Sequence, residues 1–195
     1  GCDFLQFTPV VEHTQGQVAD YSVTPTQWGQ FLCGLYDEWV RHDVGRVFVQ
    51  TFDATLANWV GEPPGVCSLS AMCGHAAAME YNGDVYSCDH FVRPQHLLGN
   101  IHHQTLTEML YGQRQQAFAN VKHQGLPQQC RECRFLFACH GECPKNRFLT
   151  DRYGQSGLNY LCEGYLRFFN HVASDMDFMK AELEAGRAPM NICCK

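Results

Sequence analysis

The sequence predicts an α/β segment followed by a cysteine-rich α+β region that carries a β-hairpin and a long C-terminal helix. Three observations predict it. Residues 3–12 and the run RVFVQTF, residues 46–52, are apolar and β-prone, and they bracket an amphipathic helix. Strand, helix, strand is the repeating unit of a parallel α/β sheet. Asn82-Gly83 separates two short β-prone runs, the strongest short hairpin signal in the chain. Finally, apolar residues including Leu161, Tyr165, Phe168, Val172, Met176 and Met179 recur at helical spacing between Leu158 and Leu183.

Each element follows from local chemistry. The opening GCDFLQFTPVVE is rich in Phe, Leu and Val and reads directly as a buried strand, with no initiator Met, so the chain is expected to begin within a domain. After a polar loop, Thr24-Pro25-Thr26-Gln27 has the form of a capping box with proline at the first helical position. Trp28, Phe31, Leu32, Leu35 and Trp39 then predict a helix over residues 25–41. Two strands and a helix do not make a sheet that stands alone, so this segment reads as the end of a larger α/β domain. Gly61-Glu-Pro-Pro-Gly65 is a candidate boundary, which divides the chain into residues 1–62 and 66–195. Beyond it come the hairpin, with arms at 76–81 and 84–87, and a second capping box, Thr105 to Glu108, opening a helix with a break near Gly112. The last helix is expected to stop at Gly186.

The 195 residues are enough to bury a core without help from metals. Twenty acidic against fourteen basic residues give a formal net charge of −6, and no Lys/Arg run is present, which argues against a nucleic-acid partner. No apolar stretch is long enough to span a bilayer and no signal-peptide pattern opens the chain, so a membrane partner is not expected and the expected location is the cytoplasm.

Eight of the twelve cysteines fall between Cys67 and Cys162. Four of them follow C-x2-C-x5-C-x3-C from Cys130 to Cys143; upstream lie Cys67, Cys73 and Cys88, and downstream Cys162. Eight thiolates make two complete shells of four, each able to close a tetrahedral zinc or a cubane iron–sulfur cluster. Disulfides, zinc and iron–sulfur all remain open on this ground. A reducing compartment disfavours disulfides. A zinc ribbon pairs two C-x2-C knuckles and only one is present, so spacing leans to iron–sulfur without settling it.

Gly83-x4-Cys88, followed by C-x2-C-x5-C-x3-C and a further cysteine, resembles the SPASM domain, the C-terminal extension of a subset of radical S-adenosylmethionine (SAM) enzymes. The run CGHAAAMEYNGDVYSCDHFVRPQHLLGNI, residues 73–101, resembles the anaerobic sulfatase-maturating enzymes, which oxidise a sulfatase active-site Cys or Ser to formylglycine. The resemblance implies that residues 1–62 end a partial (β/α)6 radical SAM barrel and that residues 66–195 form the SPASM domain. It implies two auxiliary [4Fe–4S] clusters, one on Cys67, Cys73, Cys88 and Cys143 and the other on Cys130, Cys133, Cys139 and Cys162. It also implies that a 5′-deoxyadenosyl radical removes hydrogen from Cβ of the target residue, that Asp89, next to Cys88, is the base, and that the clusters carry away the surplus electron. The implied partners are a sulfatase polypeptide in extended form and an electron-donor protein. Phe7 and Thr8, at the expected end of the first strand, are placed where Phe7 would make a weak SAM contact or pack in the core. The C-x3-C-x2-C motif that binds the catalytic cluster of such enzymes is not in the sequence, so that third cluster and most of the SAM site are expected upstream, and this chain alone is expected not to cleave SAM. Two rival readings are another SPASM peptide modifier, forming thioethers or crosslinks, and a non-catalytic metal module that binds peptides, whose first 60 residues would close a core of their own.

Blander roles are expected elsewhere. His75, His90, His102, His103 and His140 read as hydrogen-bond partners or surface residues, since the cysteines complete both shells. Cys33 reads as core, Cys2, Cys193 and Cys194 as surplus, and Asp175, Asp177, Glu182 and Glu184 as a solvated helix face.

Overall fold

A computed structural model describes residues 1–14, 16–74 and 76–194. His75 therefore lies outside the described residues.

The chain begins with β1 (Phe4–Leu5), a small antiparallel ribbon of β2 (His13–Thr14) and β3 (Gln17–Val18), and α1 (Pro25–His42). Thr24 starts α1 as the sequence predicts. Its hydroxyl accepts from the Gln27 backbone N–H at 3.2 Å, and the Gln27 side chain accepts from the Thr24 N–H at 2.9 Å. After α1 comes β4 (Phe48–Val49), which pairs in parallel with β1, matching Phe4 to Phe48 and Leu5 to Val49. The strand–helix–strand unit is thus present, with much shorter strands than the apolar runs predict. The run 46–52 yields only two strand residues before α2 (Gln50–Val60) begins. Phe52, Thr55 and Trp59 fall on one side of that helix and are buried, so packing overrides the β-prone composition. Gly61, at φ 82°, ends α2 in the left-handed conformation.

The second region opens with a three-stranded antiparallel meander of β5 (Ala78–Met79), β6 (Asp84–Tyr86) and β7 (Leu97–Asn100). Gly83, at φ 87°, makes the turn between β5 and β6. Next come α3 (Leu106–Leu110), capped by the Thr105–Glu108 box, and α4 (Gln113–Gln124) after the break at Gly112. Short helices α5 (Gln128–Arg131) and α6 (Leu136–Cys139) carry the cysteine run. A ribbon of β8 (Leu149–Thr150) and β9 (Ser156–Leu158) precedes α7 (Cys162–Glu184). Leu158 is therefore a strand residue, and the last helix begins four residues later than its apolar pattern suggests. Among the described residues the strands form four separate small sheets, none of them closed into a barrel.

One large core runs through both regions. Leu32, Tyr36 and Trp39 of α1, with Phe52 and Trp59 of α2, pack against the inward stripe of α7. The Phe52 ring stacks on Phe168 at 5.6 Å and meets Tyr36 edge-on at 5.2 Å. Residues 1–62 thus bury their apolar face on α7 and do not close a core of their own. Helices α1 and α7 approach without intervening side chains: a Cβ on Gly29 would fall 2.9 Å from Gly164 Cα, and one on Gly164 would fall 2.3 Å from the Pro25 carbonyl oxygen. Of the acidic residues expected on a solvated face of α7, Asp177 and Glu184 are exposed, Asp175 is half-buried and Glu182 is covered. Glu182 is buried and accepts from Arg187 and Asn191, which hold its carboxyl down to about 2. Asp177 accepts from Trp59 Nε1 at 2.8 Å. A long helix shows a polar stripe in sequence, but not which acids a neighbouring segment will cover. Cys33 is buried in the core, Cys193 packs partly against it, and Cys2 and Cys194 are exposed. No helix among the described residues is long and apolar enough to cross a membrane.

Candidate metal centre

All twelve cysteines are free thiols. The eight between Cys67 and Cys162 lie in or beside turns, short helices and the start of α7. Cys67 opens a 3₁₀ turn, Cys67–Leu69, and Cys88 follows β6. Cys130 lies in α5, Cys139 ends α6, Cys143 caps the 3₁₀ turn Pro144–Asn146, and Cys162 opens α7.

The thiols perturb one another in two sets. Burial pushes Cys143 up to about 12, and proximity to Glu142, Cys67 and Cys73 adds to the effect. Cys88 is likewise pushed up to about 12 by burial, with Asp89 and Cys67 contributing. Burial raises Cys73, again with Cys67 nearby. Further along, burial raises Cys162 to about 11, followed by Cys130 and Cys133. Burial is also the main cause for Cys139, followed by Cys162. Neutral thiols are what burial favours when no metal is bound; a cation reverses that preference and draws off the proton.

Cys130, Cys133, Cys139 and Cys162 all line one cavity of about 280 Å³, together with Phe135, Tyr165 and Phe169. Cys67 and Cys143 line a second cavity of about 510 Å³ with Phe7, Thr8, Asp89, Lys145 and Tyr165. Cys73 and Cys88 are not part of that second lining, although both are close enough to Cys67 to feel its charge. Among the described residues no three His, Cys, Asp or Glu side chains converge closely enough to hold a single metal ion.

Asp89 begins the 3₁₀ turn Asp89–Phe91 and is exposed toward the larger cavity. Its Oδ1 accepts from the Cys88 thiol at 3.1 Å and from the His90 backbone N–H at 3.0 Å. The hydrogen bond from the protonated Cys88 thiol is the main reason its carboxyl is held below the usual value in the metal-free chain. Phe7 lies two residues beyond the end of β1, not on it; its ring packs edge-on to Phe31 at 5.2 Å, and it faces the same cavity. His90 lines the cavity as well, while His102 and His103 are exposed near β7.

Two buried charged residues and one half-buried arginine were invisible to local pattern. Lys122 of α4 is fully buried and its Nζ donates to the carbonyls of Cys67, at 2.5 Å, and Ser68, at 2.8 Å. Glu142 is buried and accepts from Asn159 Nδ2 at 2.7 Å. Arg147 donates to the carbonyls of Lys122, His140, Gly141 and Glu142 at 2.6 to 2.9 Å. Those last three residues, between Cys139 and Cys143, all have left-handed backbone, with φ of 47°, 71° and 55°. For His140 and Glu142 this costs about 1–2 kcal/mol each, which the surrounding contacts must offset.

A family model described as an iron–sulfur cluster-binding domain, SPASM, matches residues 71–134, a span that contains Cys73, Cys88, Cys130 and Cys133. The chain thus carries a domain of the iron–sulfur-binding class. It is 56% identical to a serine-type anaerobic sulfatase-maturating enzyme of Bacteroides thetaiotaomicron, over 98% of this chain and 50% of that protein. It is 31% identical to the serine-type enzyme of Klebsiella pneumoniae (96% of this chain, 46% of that one) and 28% identical to a cysteine-type enzyme of Clostridium perfringens (87% and 46%). Among solved structures, native anSMEcpe with bound AdoMet and a peptide superposes with a TM-score of 0.77 at 26% identity, over 93% of this chain and 51% of that one. The chain is similar to the anaerobic sulfatase-maturating enzymes along nearly all of its own length and spans about half the length of the curated relatives it matches.

Proposed function

We propose that this chain is the cluster-bearing part of an enzyme that oxidises a Ser or Cys in a sulfatase polypeptide to formylglycine. Cys67, Cys73, Cys88 and Cys143 would hold one auxiliary [4Fe–4S] cluster, and Cys130, Cys133, Cys139 and Cys162 the other. The donor chemistry fits: the eight thiols are free, four of them line one cavity, and they perturb one another within these two sets. When bound, such clusters supply an acceptor for one electron, at a potential set by burial and by hydrogen bonds to sulfur.

The observation that carries the reading is the cavity shared by Asp89, Cys67 and Cys143. A target side chain entering it meets an ionised carboxylate beside the cysteines. Asp89 takes the proton of the target hydroxyl or thiol. Lys145, on the same wall and ion-paired with Glu12 at 3.0 Å, is placed to orient the polar backbone of an extended peptide. Phe7 offers an apolar face to the SAM side of the cavity. The more similar relatives are named serine-type, which favours a serine-bearing sulfatase as substrate.

Residues 1–62 would end a partial (β/α)6 barrel whose upstream part supplies the third cluster and most of the SAM site, with a reducing protein as electron donor. The one parallel pair among the described residues supports this reading. Phe4 and Phe48, matched in register on β1 and β4, are 56% and 46% exposed, whereas a parallel sheet normally covers such faces. Residues 66–195 would form the SPASM domain.

Anaerobic reconstitution followed by metal analysis tests the cluster assignment: about eight irons per chain and no zinc are expected. In the full-length enzyme, Asp89→Asn should lower formylglycine formation on a sulfatase-derived Ser peptide by roughly 10²- to 10⁴-fold. A near-normal rate would remove Asp89 from the reaction.

A further inference from the structure

Cys139 and Cys143 lie four positions apart yet open into different cavities, Cys139 beside Cys130, Cys133 and Cys162, and Cys143 beside Cys67. The chain between them achieves this by an unusual route. His140, Gly141 and Glu142 take left-handed backbone in succession, and His140 and Glu142 are the non-glycine residues with positive φ among the described residues. Three consecutive left-handed residues reverse the chain's curl and bring their carbonyls round to one side. All three carbonyls meet the Arg147 guanidinium: His140 at 2.7 Å, Gly141 at 2.8 Å and Glu142 at 2.9 Å. The remaining donor, Nη1, reaches the Lys122 carbonyl in α4 at 2.6 Å, tying the loop to the helix whose Lys122 ammonium holds the Cys67 turn. The fit is tight, since a Cβ on Gly141 would fall 2.4 Å from Leu126 Cδ2 and 2.7 Å from Arg147 Nη2.

We propose that Arg147 is a positioning residue that divides the cysteines between the two sets, holding the 140–142 loop left-handed so that Cys139 and Cys143 serve different clusters. This rests on the two-cluster reading above. The planar fork is the reason an arginine is needed. One guanidinium presents donors to four carbonyls in fixed directions, whereas an ammonium is a single point with three donors. The sets should not suffer equally when the fork is lost. Cys130, Cys133 and Cys139 lie within ten residues of one another and precede the loop, of which Gly141 alone lines their cavity. Cys143 reaches Cys67 only across it. The set of Cys67, Cys73, Cys88 and Cys143 should therefore be lost first.

The test is anaerobic reconstitution of the 195-residue chain with iron and sulfide, read by iron and sulfide per chain and by mass-spectrometric mapping of cysteines protected from alkylation. The wild-type chain should hold about eight irons and protect all eight cysteines. Arg147→Met should fall to about four irons, with Cys67, Cys73, Cys88 and Cys143 alkylated and Cys130, Cys133, Cys139 and Cys162 still protected. Arg147→Lys keeps the charge and the stem, so it reports on the fork even where the Met variant folds poorly. It should also load below the wild type. Adding His140→Gly to either variant should restore part of the lost iron, because glycine takes left-handed backbone at no steric cost; a general loss of structure would not respond to that change. Wild-type loading in both Arg147 variants, or equal loss from both cysteine sets with no rescue by glycine, overturns the role of Arg147 and leaves the cluster reading standing. A wild-type chain that takes up no iron overturns both.

Discussion

Asp53 sits in the first turn of α2 with its Oδ2 buried and without a partner, and burial pushes its carboxyl from 3.8 up to about 6. The folded chain thus keeps this proton longer than the unfolded chain does. Its contribution to stability is complete below about pH 3.8 and is lost as pH rises through about 6. Asp53→Asn should remove that dependence and raise stability at pH 7 by about 1 kcal/mol, the amide's own unpaired group taking back part of the gain. Urea unfolding at a series of pH values checks it, and a variant that tracks the wild type between about pH 4 and 6 would refute it. The same scale shows what a sequence conceals. Eight candidate ligands were legible because cysteine spacing is chemistry written locally. Lys122, Glu142 and Arg147 were not, because each is defined by carbonyls and amides that the fold brings to it. Glu182 misled for the same reason: its helical position reads as solvated until Arg187 and Asn191 fold over it.

The seam between α1 and α7 is built on two glycines, and it ties the first sixty residues to the helix that presents Cys162. Gly164→Ala would place a methyl 2.3 Å from the Pro25 carbonyl oxygen, so the helices must part. A loss of about 1–3 kcal/mol in chemical denaturation is expected. Iron loading at the Cys162 set should fall with it, whereas an unchanged midpoint would show that the seam can open without cost. Helix starts were the most legible elements, since Thr24 with Gln27 and Thr105 with Glu108 write their hydrogen bonds in neighbouring residues. Asn82-Gly83 marked its hairpin for a similar reason. The two-residue strands were not legible at their true length. Phe48 and Val49 are continuous in composition with Thr51 and Phe52, and only packing against α7 makes the chain coil at Gln50.

At the scale of the molecule, the loop at 61–65 breaks the backbone pattern but not the core. Trp59 donates to Asp177 across 118 positions, and the Phe52 ring rests on Phe168. The sequence shows that α7 has an inward stripe; it does not show that the partner lies on the far side of a Gly-Pro-rich break. Removing residues 1–65 should therefore leave 66–195 compact but loosely packed, with retained far-UV helix signal, strong dye binding and no cooperative thermal transition. A sharp transition in that truncated chain would show that the second region packs by itself. The paired phenyl rings of Phe4 and Phe48 have a practical side. Two short parallel strands with no third strand beside them among the described residues leave open edges next to two greasy rings, and such rims recruit whatever extended backbone comes near. In a concentrated stock of this chain, the nearest extended backbone is another copy, so clumping will begin at this corner of the molecule and not at the cysteines.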